Sequence, residues 1–85
     1  MNIKIKNDKE LEFVIFCIEN IAKELGISAQ SIYDKVAIES NFLNNYIVAN
    51  YEILHTQGKE YIVNDIIDTM RERGIEVWLY TMVHM

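Results

Sequence analysis

Residues 50–67 read NYEILHTQGKEYIVNDII, which predicts two helices joined by a short polar turn. From Lys59 onward the apolar residues recur at i, i+3 and i+4, the spacing of one helix face. The helix is expected to end where Arg71 and Arg73 complement its carbonyl end and Gly74 follows. The stretch therefore favours a helical fold.

Upstream of this stretch, the sequence predicts a first helix that starts near the N-terminus. Asn7 or Asp8 can cap this first helix, and Gly26 can supply the left-handed backbone that ends it after Leu25. The apolar stripe predicted for it consists of Leu11, Val14, Ile15, Ile18, Ala22 and Leu25, widened by Phe13, Phe16, Cys17 and Ile21. So wide a stripe is typical of a central helix or of one half-covered by another subunit.

The middle of the chain predicts a second and a third helix. Ser28 can cap the second, which runs to about Glu39. After the polar residues Ser40 and Asn41, a third helical pattern runs from Leu43 to Leu54, with apolar residues at helical spacing.

Length and composition predict one domain over residues 1–85. The chain is 51% hydrophobic and 25% charged, which is typical of a globular domain. We expect an all-α fold, a small bundle of about four helices. A short β-strand at one or both ends is compatible with this fold. In MNIKIK, residues 1–6, apolar isoleucines alternate with lysines, and residues 75–85, IEVWLYTMVHM, are rich in β-branched and aromatic side chains. A short helix is the alternative for the C-terminal segment.

The charge balance is acidic, with 13 carboxylates against 8 lysines and arginines and a formal net charge of −5. Nucleic acid is therefore disfavoured as a partner, because phosphate binding needs clustered cations. The single cysteine, Cys17, excludes an internal disulfide. The sequence predicts a cytoplasmic protein, since it shows neither a signal peptide nor a membrane span. It predicts no cofactor and no metal site.

His55 is the residue whose side chain could serve as a base or a ligand. The sequence has one other histidine, His84. Around neither histidine do cysteines or carboxylates have the spacing of metal ligands. The favoured interpretation is structural: His55 closes the third helix, Thr56 caps the fourth, and Gly58 lets the backbones approach. We therefore predict that the protein is not an enzyme.

Aromatic residues with a polar tip suggest a protein interface. Trp78, Tyr80, Tyr51 and His55 are the predicted partner-binding residues. Tyr46 and Tyr61 fall on or near the apolar stripes, and for them a core position is preferred. Because the apolar fraction exceeds what so small a domain easily buries, self-association is expected.

Residues 21–36, IAKELGISAQSIYDKV, resemble a helix-turn-helix in their spacing of small, glycine and apolar positions. In a DNA-binding version, Ser28, Gln30, Ser31 and Lys35 would face the groove or its phosphates. The alternative is an ordinary helical corner whose glycine and apolar spacing serve packing.

The N-Y-E-x-L-H-T-x-G turn from Asn50 to Gly58, followed by the Y-I-V-x-D-I helix from Tyr61 to Ile66, resembles the bacterial family catalogued as domain of unknown function 3791. The resemblance covers roughly Glu10 to Asp68 and leaves both terminal segments outside. It implies no activity. It implies that such genes tend to sit beside genes for larger proteins of toxin type.

The predicted function is a non-enzymatic protein-interaction module, the antitoxin-like or partner-binding member of a bacterial gene pair. A protein encoded by a neighbouring gene is the expected partner, and an acidic surface would speed its association with a cationic one. The alternative is a helix-turn-helix DNA-binding regulator using residues 21–36.

Overall fold

The computed structural model describes residues 3–75, and these residues form helices and no β-strand. The α-helices are α1 (Asp8–Leu25), α2 (Ala29–Tyr33), α3 (Tyr51–Leu54) and α4 (Lys59–Glu72), with two π-helical segments, Asp34–Ile38 and Leu43–Val48, between α2 and α3. The predicted all-α fold is confirmed.

Helix α1 has the ends that the sequence predicts. The side chain of Asn7 accepts a hydrogen bond from the Glu10 N–H at 2.9 Å, and Glu10 Oε1 accepts one from the Lys6 N–H at 2.9 Å. This reciprocal capping satisfies backbone donors that a helix start leaves without partners. At the other end Gly26 takes a left-handed φ of 67° and its N–H donates to Ala22 O.

The second predicted helix is present, but its second half has π geometry. Ser28 Oγ accepts from the Ser31 N–H at 3.1 Å, as expected of a cap. The chain then passes from α2 into the π-helical segment Asp34–Ile38. Beyond it, Ser40 Oγ donates to the carbonyl of Lys35, the second residue of the segment, at 2.6 Å.

The prediction of one continuous third helix is wrong. The π-helical segment Leu43–Val48 and helix α3 are separated by a turn, where Asn50 has a φ of −107° and a ψ of 16°. Asn50 Nδ2 donates to Tyr46 O at 2.8 Å. The Asn50 side chain thus binds a carbonyl that the helical ladder also uses, but Asn20 makes the same bond to Phe16 O within the uninterrupted α1, so this bond alone does not account for the break.

Helix α4 spans the predicted range, but its start differs from the expectation. Gly58 occupies the capping position without a side chain to cap with, and Thr56 Oγ1 donates backwards to Ile53 O at 2.8 Å, so Thr56 is not the cap. A Cβ built on Gly58 would meet nothing within 4 Å, so the predicted close backbone approach is also wrong. Gly74, with a φ of +74°, follows the helix end as predicted.

The core is lined mainly by α1, the two π-helical segments and α4. Its fully buried large side chains are Ile21, Ile32, Leu43, Ile47, Ile66, Met70, Val36 and Cys17. Two residues predicted for the α1 stripe, Leu11 and Ile15, instead stay 43% and 46% exposed, because the buried face of α1 is centred on Val14, Cys17 and Ile18. Tyr61, preferred as core, is 56% exposed.

The N-terminal arm packs on the helices without forming a strand. Ile3 and Ile5 are half-buried against the core, and the Lys4 N–H donates to Asn44 Oδ1 at 2.9 Å. The alternation of Ile3 and Ile5 with Lys4 and Lys6 thus matches their burial. The Lys4 N–H, however, finds its acceptor on a side chain rather than on a neighbouring strand. The C-terminal strand predicted within residues 75–85 lies outside the described residues, apart from Ile75.

Candidate partner-binding site

Helix α3 brings two of the predicted partner-binding residues together. The rings of Tyr51 and His55, one turn apart, stack at a centroid distance of 4.4 Å with an interplanar angle of 8°. The backbone N–H of His55 donates to the backbone carbonyl of Tyr51 at 3.0 Å. A backbone hydrogen bond therefore joins the same two residues whose rings stack. Tyr51 is half-buried and His55 is exposed. The stack therefore joins the core to the surface.

Helix α1 supplies the aromatic support of this stack. The Phe13 ring meets Tyr51 edge-on at 5.4 Å and 77°, the geometry that aromatic quadrupoles favour. Phe16 lies beside Phe13 with a centroid distance of 6.4 Å. Since Phe13 is 8% exposed, a core residue supports the Tyr51 ring.

The stack lines an open groove of about 530 Å³. The groove is lined by Lys9, Glu12, Phe13, Phe16, Tyr51, His55, Gln57 and Ile62. Its floor is aromatic and aliphatic, while one cation, one carboxylate and one amide stand at its edge. An apolar floor with few polar groups is the usual composition of a binding surface.

The described residues contain no group that activates His55 for chemistry. Within residues 3–75 the His55 ring makes the stacking contact and no side-chain hydrogen bond. A general base is ordinarily oriented by such a bond. The thiol of Cys17 is buried, and this burial raises its pKa to about 12, so it stays protonated and is no nucleophile near neutral pH.

A second aromatic stack lies on the π-helical segment Leu43–Val48 and the residue before it. The rings of Phe42 and Tyr46 stack at 5.2 Å, and the guanidinium carbon of Arg73 lies 5.4 Å and 5.3 Å from their centroids. Tyr46 Oη donates to Asp65 Oδ2 at 2.6 Å. Burial, and next the hydrogen bond to Asp65, raise the pKa of Tyr46. This stack ties helix α4 to the middle of the chain.

The corner formed by residues 21–36 has the packing expected of it. Ala22, Ile32 and Val36 are buried where α1 meets α2. All four side chains of the DNA-binding alternative have polar partners inside the chain: Ser28 Oγ donates to Ser31 Oγ at 2.9 Å, Gln30 Nε2 donates to Asp34 Oδ1 at 2.9 Å, and Lys35 Nζ pairs with Glu39 Oε1 at 3.0 Å. Carboxylates thus stand beside Gln30 and Lys35, two of the groups that would face DNA.

The predicted site residues Trp78 and Tyr80 lie outside the described residues. Sequence reasoning placed Phe13 and Phe16 on the wide stripe of α1, typical of a central helix or of one half-covered by another subunit, and did not predict that they line this groove. It also missed the polar side chains of Lys9, Glu12 and Gln57. The signal for Phe16 was present, since an aromatic residue at the margin of an over-wide stripe is poorly placed for full burial.

Within residues 3–75 no group of three His, Cys, Asp or Glu side chains is placed to hold a metal ion. None of the helices in this part of the chain has the length and apolarity that crossing a bilayer requires.

The fold and the groove define a small all-α protein with an aromatic-lined surface depression. The sequence pattern of the family described as Protein of unknown function (DUF3791) matches residues 12–73, and the chain belongs to that family. The resemblance predicted from the turn at residues 50–58 is therefore confirmed, and the match leaves both terminal segments outside. No curated protein and no solved structure matches the chain.

Proposed function

We propose that the protein is a non-enzymatic interaction module that binds a partner protein through the groove beside Tyr51 and His55. The expected partner is the product of a neighbouring gene, with this chain as the antitoxin-like member of the pair. One observation carries the proposal, namely that an aromatic stack supported by Phe13 lies beside an open groove at the surface of a small acidic chain.

Physical reasons support binding over catalysis. Aromatic side chains offer large contact area at little cost in conformational entropy, and they are enriched among residues that dominate binding energy. Tyr51 is already ordered by Phe13, so binding would not need to order it again. His55, by contrast, has no oriented proton acceptor among residues 3–75.

Self-association belongs to the same proposal and involves a different face. Leu11 and Ile15 lie one turn apart on α1 and expose 43% and 46% of their surface. A second copy would remove this apolar pair from water. Sedimentation of the protein with Leu11→Glu tests it: a wild-type dimer that becomes a monomer supports self-association, and a wild-type monomer contradicts it.

The binding proposal is tested by co-expressing the tagged protein with the product of the adjacent reading frame. His55→Ala removes half of the stack, and Ile53→Ala is the matched control, because Ile53 lies on the same helix, is 67% exposed and does not line the groove. We expect His55→Ala to weaken the complex about tenfold, or about 1.4 kcal/mol, and Ile53→Ala to leave it unchanged. Failure of the wild type to co-purify, or equal losses in both variants, overturns the proposal.

The DNA-binding alternative predicts a different outcome. Specific retention of the protein's own upstream DNA, lost in Gln30→Ala and unaffected by His55→Ala, would replace the proposal. Retention measured at two salt concentrations separates specific binding from attraction to phosphate alone.

A further inference from the structure

The molecule contains two aromatic pairs of the same design. Phe42 with Tyr46, and Tyr51 with His55, are each one helical turn apart, and their rings stack at 5.2 Å and 4.4 Å. In the first pair, the guanidinium of Arg73 stands nearly equidistant from both rings, at 5.4 Å and 5.3 Å. The chain thus shows how a stacked pair of this spacing accommodates an arginine.

The second pair has no such cation within the chain's described part. Among residues 3–75 the guanidinium contacts to aromatic rings are those of Arg73. Tyr51 and His55 instead open on the groove, where Glu12 and Gln57 provide oxygen acceptors. A guanidinium placed beside the two rings could donate hydrogen bonds to these oxygens while its plane lies on the aromatic surface. Lys9 also lines the groove, but its ammonium group offers no acceptor.

The chemistry of the groove favours arginine over lysine. A guanidinium is planar, weakly hydrated and able to stack while its edge donates hydrogen bonds, whereas an ammonium is a compact and strongly hydrated charge. The net charge of −5 favours a cationic partner as well. The sequence has only two arginines, both near the end of α4, and Arg73 already covers the first pair. We therefore expect the arginine of this groove to come from another protein molecule.

We propose that the Tyr51–His55 groove receives an arginine side chain of the partner protein, stacked beside the two rings and hydrogen-bonded to Glu12. This inference depends on the proposed function, because it names what the same groove binds. In the complex the second aromatic pair then acquires the cation that the first pair has within the chain.

The test uses N-acetyl-arginine amide as the probe and follows the backbone amide signals of the full-length protein by NMR. N-acetyl-citrulline amide is the matched probe, since it has nearly the same shape and no charge. We expect the arginine probe to shift the signals of Tyr51, His55 and Glu12 and to bind about two- to fivefold more tightly than citrulline. Glu12→Gln should weaken the arginine probe about twofold, while Glu19→Gln, the same charge change on α1 away from the groove, should not.

The outcomes separate the inference from the proposed function. Equal binding of the two probes, shifts confined to other surfaces, or equal weakening by Glu12→Gln and Glu19→Gln would overturn the arginine inference. A partner that still co-purifies in a His55-dependent manner would leave the interaction function standing in that case. Failure of every partner to co-purify would instead remove the proposed function and the inference with it.

Discussion

The two aromatic pairs differ in what faces them. The Phe42–Tyr46 pair faces α4 and the residue that follows it: Asp65, near the middle of α4, accepts from the Tyr46 hydroxyl, and Arg73, just after the helix, lies beside the rings. The Tyr51–His55 pair has an α1 phenylalanine on one side and an open groove on the other. The first pair therefore has partners within the chain and serves the fold, whereas the second has room for an external ligand.

The two pairs show that residue type alone does not determine whether an aromatic pair finds its partners within the chain. Both pairs have the spacing that brings side chains together on a helix face. Their roles depend on which element packs against them. Substitutions in the first pair should therefore change stability, and those in the second should change binding.

The largest expected effect is that of Phe42→Ala. Phe42 is 2% exposed, so its removal creates a cavity and uncovers the Tyr46 ring. We expect the free energy of unfolding to fall by about 3 to 5 kcal/mol, measured by urea denaturation. A loss below about 1 kcal/mol would show that the first pair is not part of the core.

A smaller loss is expected for Tyr46→Phe, which removes only the hydroxyl that donates to Asp65 at 2.6 Å. The half-buried carboxylate can regain water, so the loss should be about 1 kcal/mol. Asp65→Asn, made alone and together with Tyr46→Phe, supplies the control. If the hydrogen bond carries the effect, the two substitutions together should cost less than the sum of their separate effects.

The same hydroxyl gives a pH dependence. Burial, and next the bond to Asp65, raise the pKa of Tyr46 above its ordinary value of 10.0. The folded state therefore holds this proton more tightly than the unfolded state, and the contribution is present below pH 10 and lost as the pH rises through the folded-state pKa. Wild type should lose more stability above pH 10 than Tyr46→Phe does; parallel curves would contradict the assignment.

Arg73→Gln should have a smaller effect still. It removes the exposed cation beside Phe42 and Tyr46, which contributes about 0.5 to 1 kcal/mol at such sites. Arg73→Lys keeps the charge and loses the planar group, so it should recover part of the stability. A full loss in the lysine variant would show that planar stacking dominates, and no loss in either would show that the contact is dispensable.

The smallest effect on folding is expected at the second pair. His55→Ala should lower the free energy of unfolding by no more than about 0.5 kcal/mol, the usual contribution of side chains one helical turn apart. A loss comparable to that of Phe42→Ala, in the same urea measurement, would make the second pair structural and remove the distinction between the two.

The helix ends were predictable because their determinants are local. Asn7, Gly26, Ser28 and Gly74 act through backbone groups a few residues away, and each does so in the structure. The break at Asn50 was not foreseen, since an asparagine inside an otherwise periodic segment is compatible with either outcome. The predicted α1 stripe also lay about one residue away from the buried face, so that it included the exposed residues Leu11 and Ile15.

The candidate site was only partly predictable for a different reason. Tyr51 and His55 were singled out from a polar turn, and their contact follows from one-turn spacing. Their support by Phe13, and the cover that Asp65 and Arg73 give to Tyr46, join elements far apart in the chain. Such contacts depend on how helices pack, which composition and spacing do not determine.

Hydrogen exchange in the purified complex tests the central claim most directly, because it reports where the partner lies. The protein with and without its bound partner would be compared peptide by peptide. We predict slower exchange over residues 51–57 in the complex, together with unchanged exchange over residues 42–46, which already have their partners within the chain. Unchanged exchange over residues 51–57, with protection elsewhere, would contradict the claim that the groove is the binding surface.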